Sequence, residues 1–191
     1  MSTAISLKDR QADATRELIL STAVDLLEGS GVSELTVRAV ARSAGMSERT
    51  VFRYFSTREG FLDAVAEATA ERLSTPTPPA SIEGLLDFPT PLYRSFEGNA
   101  RLTAAVLHTD IYGRVRKSSG GSRWRAVEKL IDRSAPGKPK KQRKIAATNI
   151  NYFLSATTWH YYRTNFRMTL PDAIACAKAA IKLTVDELCG E

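Results

Sequence analysis

Cysteine is nearly missing from this 191-residue chain, which has only Cys176 and Cys189. Two thiols cannot build a disulfide framework or a four-ligand zinc site. The expectation is a soluble, cytoplasmic protein with its thiols reduced. Histidine is equally scarce: His108 and His160 stand alone, and neither sits in a spacing such as H-E-x-x-H. No metal and no cofactor is expected. No apolar run approaches the ~18–20 residues of a membrane span, and Met1 to Arg10 holds no apolar core of a secretory signal. The alternation of a half-buried strand is also missing.

What the chain does have is an excess of basic charge, 27 Lys and Arg against 21 Asp and Glu, for a net +6. That balance points toward nucleic acid, but its distribution is uneven. Residues 1–75 carry a net −2 and residues 76–191 a net +8. The densest stretch, 113–144, sets 12 basic residues against Glu128 and Asp132 alone. Most of these read as solvated faces. A smaller role, drawing in an anionic ligand such as an acyl-coenzyme or a carboxylate, is the second reading. Length allows one large or two small domains.

Helical periodicity fills the sequence, and the expected class is all-α with about nine helices. Residues 12–28 put Ile19, Ala23, Leu26 and Leu27 on one side, with Leu20 and Val24 beside them. Gly29-Ser30-Gly31 is the expected stop. Lys8 and Arg10 before it read as a terminal tail or, second, as a minor-groove arm. Three short units follow, with Thr36, Ser47 and Thr57 as N-caps and Gly45 closing the first. Thr75-Pro76-Thr77-Pro78-Pro79 cannot continue a helix, so domains are expected at 1–74 and 75–191. Beyond it come helices at 81–97 (interrupted by Pro89 and Pro91), 99–113, 123–134, 139–166 and 170–188, with a Ser/Gly-rich loop at 117–122.

Residues 36–58 have helix-turn-helix spacing, with the second helix at about 47–55. Val51 and Phe55 anchor that helix inward, leaving Glu48, Arg49, Thr50, Phe52, Arg53 and Tyr54 outward. Arginine reads guanine with two bonds, threonine touches a thymine methyl, and tyrosine hydroxyl bonds phosphate. Capped helix N-termini also favour phosphate, which gives Thr36, Ser47 and Thr57 a second use.

In order, the strings Thr36-Val37-Arg38-Ala39-Val40-Ala41, Ala44-Gly45-Met46-Ser47, Thr50-Val51-Phe52-Arg53-Tyr54-Phe55 and Arg58-Glu59-Gly60-Phe61-Leu62 resemble the tetracycline-repressor (TetR) family of transcriptional regulators. The signature covers about residues 14–73. The resemblance implies a three-helix DNA-binding domain, then a larger helical domain that binds an inducer and forms a homodimer. It puts Thr36, Ser47, Tyr54 and Arg58 at phosphate contacts, Thr50 at phosphate or base, and Glu48, Arg49, Phe52 and Arg53 at base readers. Arg49, Phe52 and Arg58 depart from the family's usual Gly or Pro, Tyr and Lys. Phe52 cannot donate a hydrogen bond, so it is either a thymine-methyl contact or core.

In the second half, residues 139–166 are apolar on two sides: Ala146, Ile150, Phe153, Leu154 and Thr157 on one, Tyr152, Ala156, Trp159 and Phe166 on the other. Such a helix must be buried over most of its girth. The last helix carries Ile174, Ala177, Ile181, Val185 and Leu188 close to a heptad seam. These are the expected dimer contacts. Inducer-pocket candidates are Phe88, Tyr93, Phe96, Leu107, His108, Ile111, Tyr112, Trp124, Asn149, Tyr152, Phe153 and Trp159, because ligand sites combine aromatic walls with few polar groups. A palindromic DNA operator, a small-molecule inducer and a second copy are the expected partners, with repression relieved by ligand. The competing class is a helical small-molecule binder that never touches DNA. An enzyme is not expected: His108 and Asp110 lie two apart on a helix and face apart, and Lys117 to Ser122 lacks the order of a phosphate-binding loop.

Overall fold

Ser47, Thr57 and Thr36 each adopt extended backbone and turn the hydroxyl back onto an amide three residues on, which starts three of the N-terminal helices. The computed structural model describes residues 6–30 and 35–190. In order the helices are α1 (Leu7–Ser30), α2 (Val37–Ser43), α3 (Glu48–Tyr54), α4 (Arg58–Leu73), α5 (Ile82–Asp87), α6 (Pro89–Gly98), α7 (Ala100–Leu107) and α8 (Tyr112–Val115). A π-helical turn, Arg116–Gly120, leads into α9 (Gly121–Ser134), followed by α10 (Lys140–Phe153), α11 (Ala156–Thr164) and α12 (Leu170–Cys189). Among the described residues there is no strand, and no helix is long and apolar enough to cross a membrane.

All nine helical stretches legible in the sequence are helical, and three of them are divided. Pro89 opens α6 at its first turn, where its missing N–H is harmless, so 81–97 becomes α5 and α6. The stretch 99–113 breaks after Leu107, with turns in which Thr109 N–H donates to the Val106 carbonyl and Tyr112 N–H to that of Thr109. Gly113 is therefore inside α8 and not its end. The long helix expected at 139–166 breaks at Ser155, which is extended and caps α11 through the Thr158 amide at 3.1 Å. The loop expected at 117–122 is instead helical. It joins α8 to α9 through the π turn, where five-residue bonding widens the helix to absorb an added residue. Lys8 and Arg10 lie on the first turn of α1, which begins earlier than residue 12. The stop at Gly31 lies outside the described residues.

Two apolar cores result. The first joins Ile19, Ala23 and Leu27 of α1, Val40 of α2, Val51 of α3 and Phe61, Leu62 and Val65 of α4, and it continues into Leu102, Val106, Ile111 and Val115. The second gathers α5, α6, α9, α10, α11 and α12 around Leu85, Leu92, Tyr93, Ile131, Ile150 and Ile181. Ser74 takes φ 44 and ψ 55 to end α4, and the proline stretch 75–79 that follows is not helical.

Burial corrects two expectations drawn from periodicity. Ala177, Ile181, Val185 and Leu188 are buried within the protomer, and Ile174 is half-buried, so the seam assigned to a partner copy packs against this chain's own α6 and α10. The girth of 139–166 is not enclosed either: Ile145, Tyr152, Tyr161 and Phe166 are each more than half exposed. A hydrophobic stripe shows which residues seek cover but not which neighbour supplies it.

Candidate functional site

The turn before α3 is set by one glycine. Met46 N–H donates to the Ala41 carbonyl at 2.9 Å and Gly45 N–H to that of Arg42 at 3.3 Å. These are the two bonds of a Schellman turn, and they need Gly45 at φ 66, where a side chain would be strained. Ser47 then caps α3, accepting from the Thr50 amide at 3.1 Å, with the Ser47 and Thr50 hydroxyls 2.9 Å apart. Val51 and Phe55 hold the helix down, and Phe55 meets Phe61 edge-on at 5.5 Å between ring centres.

The opposite face of α3 is open. Glu48, Arg49, Phe52 and Arg53 are exposed, and Thr50 and Tyr54 are half-buried. At 43 % exposure Phe52 is not a core residue. The Arg53 guanidinium lies 5.3 Å from the centre of the Tyr54 ring. Hydrogen bonding with Thr15, and then with Arg53, pulls the Tyr54 phenol below its ordinary range. Among the described residues Arg38, Arg42, Arg49 and Arg53 form no ion pair, so their charge is available to an outside anion. Thr36 and Thr57 cap α2 and α4, and each is exposed. Arg58 differs: it is engaged by Asp110 at 3.2 Å and Glu59 at 3.7 Å.

A second feature is a cavity of about 830 Å³ beside α7, α8 and the π turn. Five of the twelve residues expected to line a ligand pocket do line it: Phe96, Leu107, Tyr112, Trp124 and Tyr152. Seven do not. Phe88, Tyr93, Phe153 and Trp159 pack in the second core, where the Tyr93 hydroxyl donates to the Phe153 carbonyl at 2.7 Å and burial pushes that phenol up. Ile111 belongs to the first core, Asn149 faces outward, and His108 stacks edge-on with His160 at 5.6 Å. The sequence reading missed Thr103, Arg116, Lys117, Arg123, Asn151 and Thr157. The basic run 113–144 was the one signal that pointed there.

The cavity and α3 share one element. Leu73, the last residue of α4, lines the cavity. The first turns of α4 supply Glu59 and Asp63, and Arg114 of α8 donates to both carboxylates. Tyr112 on α8 reaches across to Thr157, with the hydroxyls 2.8 Å apart. Among the described residues no group of three His, Cys, Asp or Glu comes together as metal ligands.

In comparison with known proteins, residues 19–65 match the model of bacterial regulatory proteins of the tetR family. That span runs from the first buried residue of α1 through α4 to Val65 and contains the whole helix-turn-helix. No curated protein matches the chain. Among solved structures, the chain is similar to a TetR transcriptional regulator from Rhodococcus sp. RHA1, with 18 % identity and a TM-score of 0.49 over 92 % of this chain and 98 % of that one.

Proposed function

We propose, from the match of residues 19–65 to the tetR family model, that the chain is a transcription repressor that binds a palindromic operator as a homodimer and is released by a small molecule. The observation that carries the reading is the open face of α3, with Arg49, Phe52 and Arg53 exposed and both arginines without an ion pair among the described residues. Arg49, Arg53, Glu48 and Phe52 are assigned to base edges. Thr36, Ser47, Tyr54, Thr57 and Arg58 are assigned to phosphates, and Thr50 to either. In functional terms 1–74 reads DNA, and 75–191 binds ligand and dimerises.

The dimer surface is reassigned to the outward faces of α11 and α12. Tyr161, Ala175, Ala179 and Leu183 are exposed there, with Phe166 exposed in the link between the two helices, and small residues let a partner helix approach closely. Two recognition helices so joined meet half-sites one turn of DNA apart or a multiple of it. Inducer action is differential binding: ligand favours the state in which the half-site spacing is wrong. Helix α4 supports this, because it carries both the cavity-lining Leu73 and the pairs to Arg114.

Filter retention of genomic fragments by the full chain tests the reading. Retention that is salt-sensitive and lost in the R53A/Y54A double variant is expected. Absence of salt-sensitive retention, or indifference to those substitutions, would favour a helical small-molecule binder that never touches DNA.

A further inference from the structure

The cavity has a chemical bias that a general ligand pocket would not need. Arg116, Lys117 and Arg123 all line it, and among the described residues no Asp or Glu does. Nor does any of the three form an ion pair within the described chain. Two other arginines of this half of the chain are neutralised: Arg163 donates twice to Glu97, at 2.8 and 3.1 Å, and Arg143 to Asp132 at 2.6 Å. Cations set around one cavity without a carboxylate repel one another, and burying one of them without a partner is unfavourable. Arg123 is the half-buried member. Burial pulls its guanidinium below the ordinary range, and the like charge of Arg116 adds to the effect.

The remaining walls are apolar and aromatic. Phe96, Val106, Leu107 and Trp124 contribute carbon surface, with Thr103 and Asn151 as the buried polar side chains. We infer that the cavity takes an amphipathic organic anion, its acid group on Arg123 with Arg116 and Lys117, and its carbon body against Phe96, Val106 and Trp124. Guanidinium offers a planar pair of N–H donors that matches a carboxylate or phosphate, so Arg123 is assigned as the residue that selects acid over neutral ligand. The position fits the backbone too. The π turn Arg116–Gly120 widens the helix at the cavity wall, and such turns recur at functional sites.

This inference deepens the inducer reading and rests on it only for its consequence at DNA. The test is calorimetric titration of the full chain with three ligands of one chain length: decanoate, decyl phosphate and decanamide. The acids are expected to bind at least tenfold more tightly than the amide, and R123Q is expected to erase that preference while leaving the amide unchanged. R125Q, an exposed arginine on the same helix, keeps the preference and controls for general charge. Which acid binds more tightly distinguishes a carboxylate from a phosphate ligand. Equal binding of acid and amide, an unaltered preference in R123Q, or no acid binding below millimolar concentration overturns the inference. Repeating the titration with operator DNA present separates the two ideas. Acid-selective binding that leaves DNA affinity unchanged keeps the anion site and removes the inducer role. Release of DNA by decanamide as readily as by decanoate does the reverse.

Discussion

The Arg58 guanidinium donates to the Asp110 carboxylate across 3.2 Å, joining the first turn of α4 to the connection between α7 and α8. Fifty-two positions apart in sequence, the two residues tie the helix after α3 to the segment beside the cavity. Arg58 is also the residue proposed to meet a DNA phosphate, and under that proposal Asp110 and the operator would compete for one cation. Both side chains are more than a third exposed, so the pair contributes about 0.2–1 kcal/mol to stability at most. D110A should therefore change the melting temperature little. It should tighten operator binding several-fold, read by fluorescence anisotropy, and reduce the release caused by ligand. An unchanged affinity would assign Arg58 to a purely structural role.

Phe52 and Phe61 are nine residues apart and opposite in environment: the first is 43 % exposed, the second fully buried. F61A removes the ring that packs on Phe55 and should cost about 3–5 kcal/mol in chemical denaturation. F52A should stay within about 0.5 kcal/mol of the parent and yet weaken operator binding. A large stability loss in F52A would return Phe52 to the core.

Leu183 is 70 % exposed on α12, one turn past Ala179 and facing away from the buried Ile181 and Val185. L183E should leave the protomer folded, with helical circular dichroism unchanged, and shift the sedimentation coefficient from dimer to monomer at micromolar concentration. I181E buries a charge in the second core and should unfold the protomer instead. A dimer that persists in L183E would move the interface elsewhere.

His160 is partly buried beside Trp159 and His108, and burial first, then the His108 charge, lowers its pKa below the usual 6.5. The folded state thus binds the proton less readily than the unfolded state. Stability is complete above about pH 6.5 and falls as the pH drops toward the folded value. Urea midpoints between pH 7.5 and 5.5 should show this decline, and H160Q should flatten it. A decline of equal size in H160Q would assign it to other groups.

The helix-turn-helix was legible because its signals are local. Thr36, Ser47 and Thr57 each cap within three residues, Gly45 sits where only a left-handed residue closes the turn, and Val51 and Phe55 are one turn apart. The cavity was not legible, since a buried aromatic reads the same whether it meets a wall or a void. Tyr93 and Phe96 share one face of α6, but only Phe96 reaches the cavity. The dimer seam failed for a related reason. Ile181 and Val185 announce a need for burial, and α6 and α10 of the same chain meet it. Arg123 was concealed among eleven other basic residues of 113–144 until the helix running through the π turn aimed it inward.

The most direct test is a hydroxyl-radical footprint of the full chain on a genomic fragment selected by binding, repeated over a salt series and with R49A. Two protected faces one helical turn apart or a multiple of it are predicted, with affinity falling steeply as salt rises. R49A should relax sequence preference at one position in each half-site and cost about 1–3 kcal/mol. Diffuse protection with no repeated half-site, unchanged by R49A, would contradict the assignment of α3 as the helix that reads DNA.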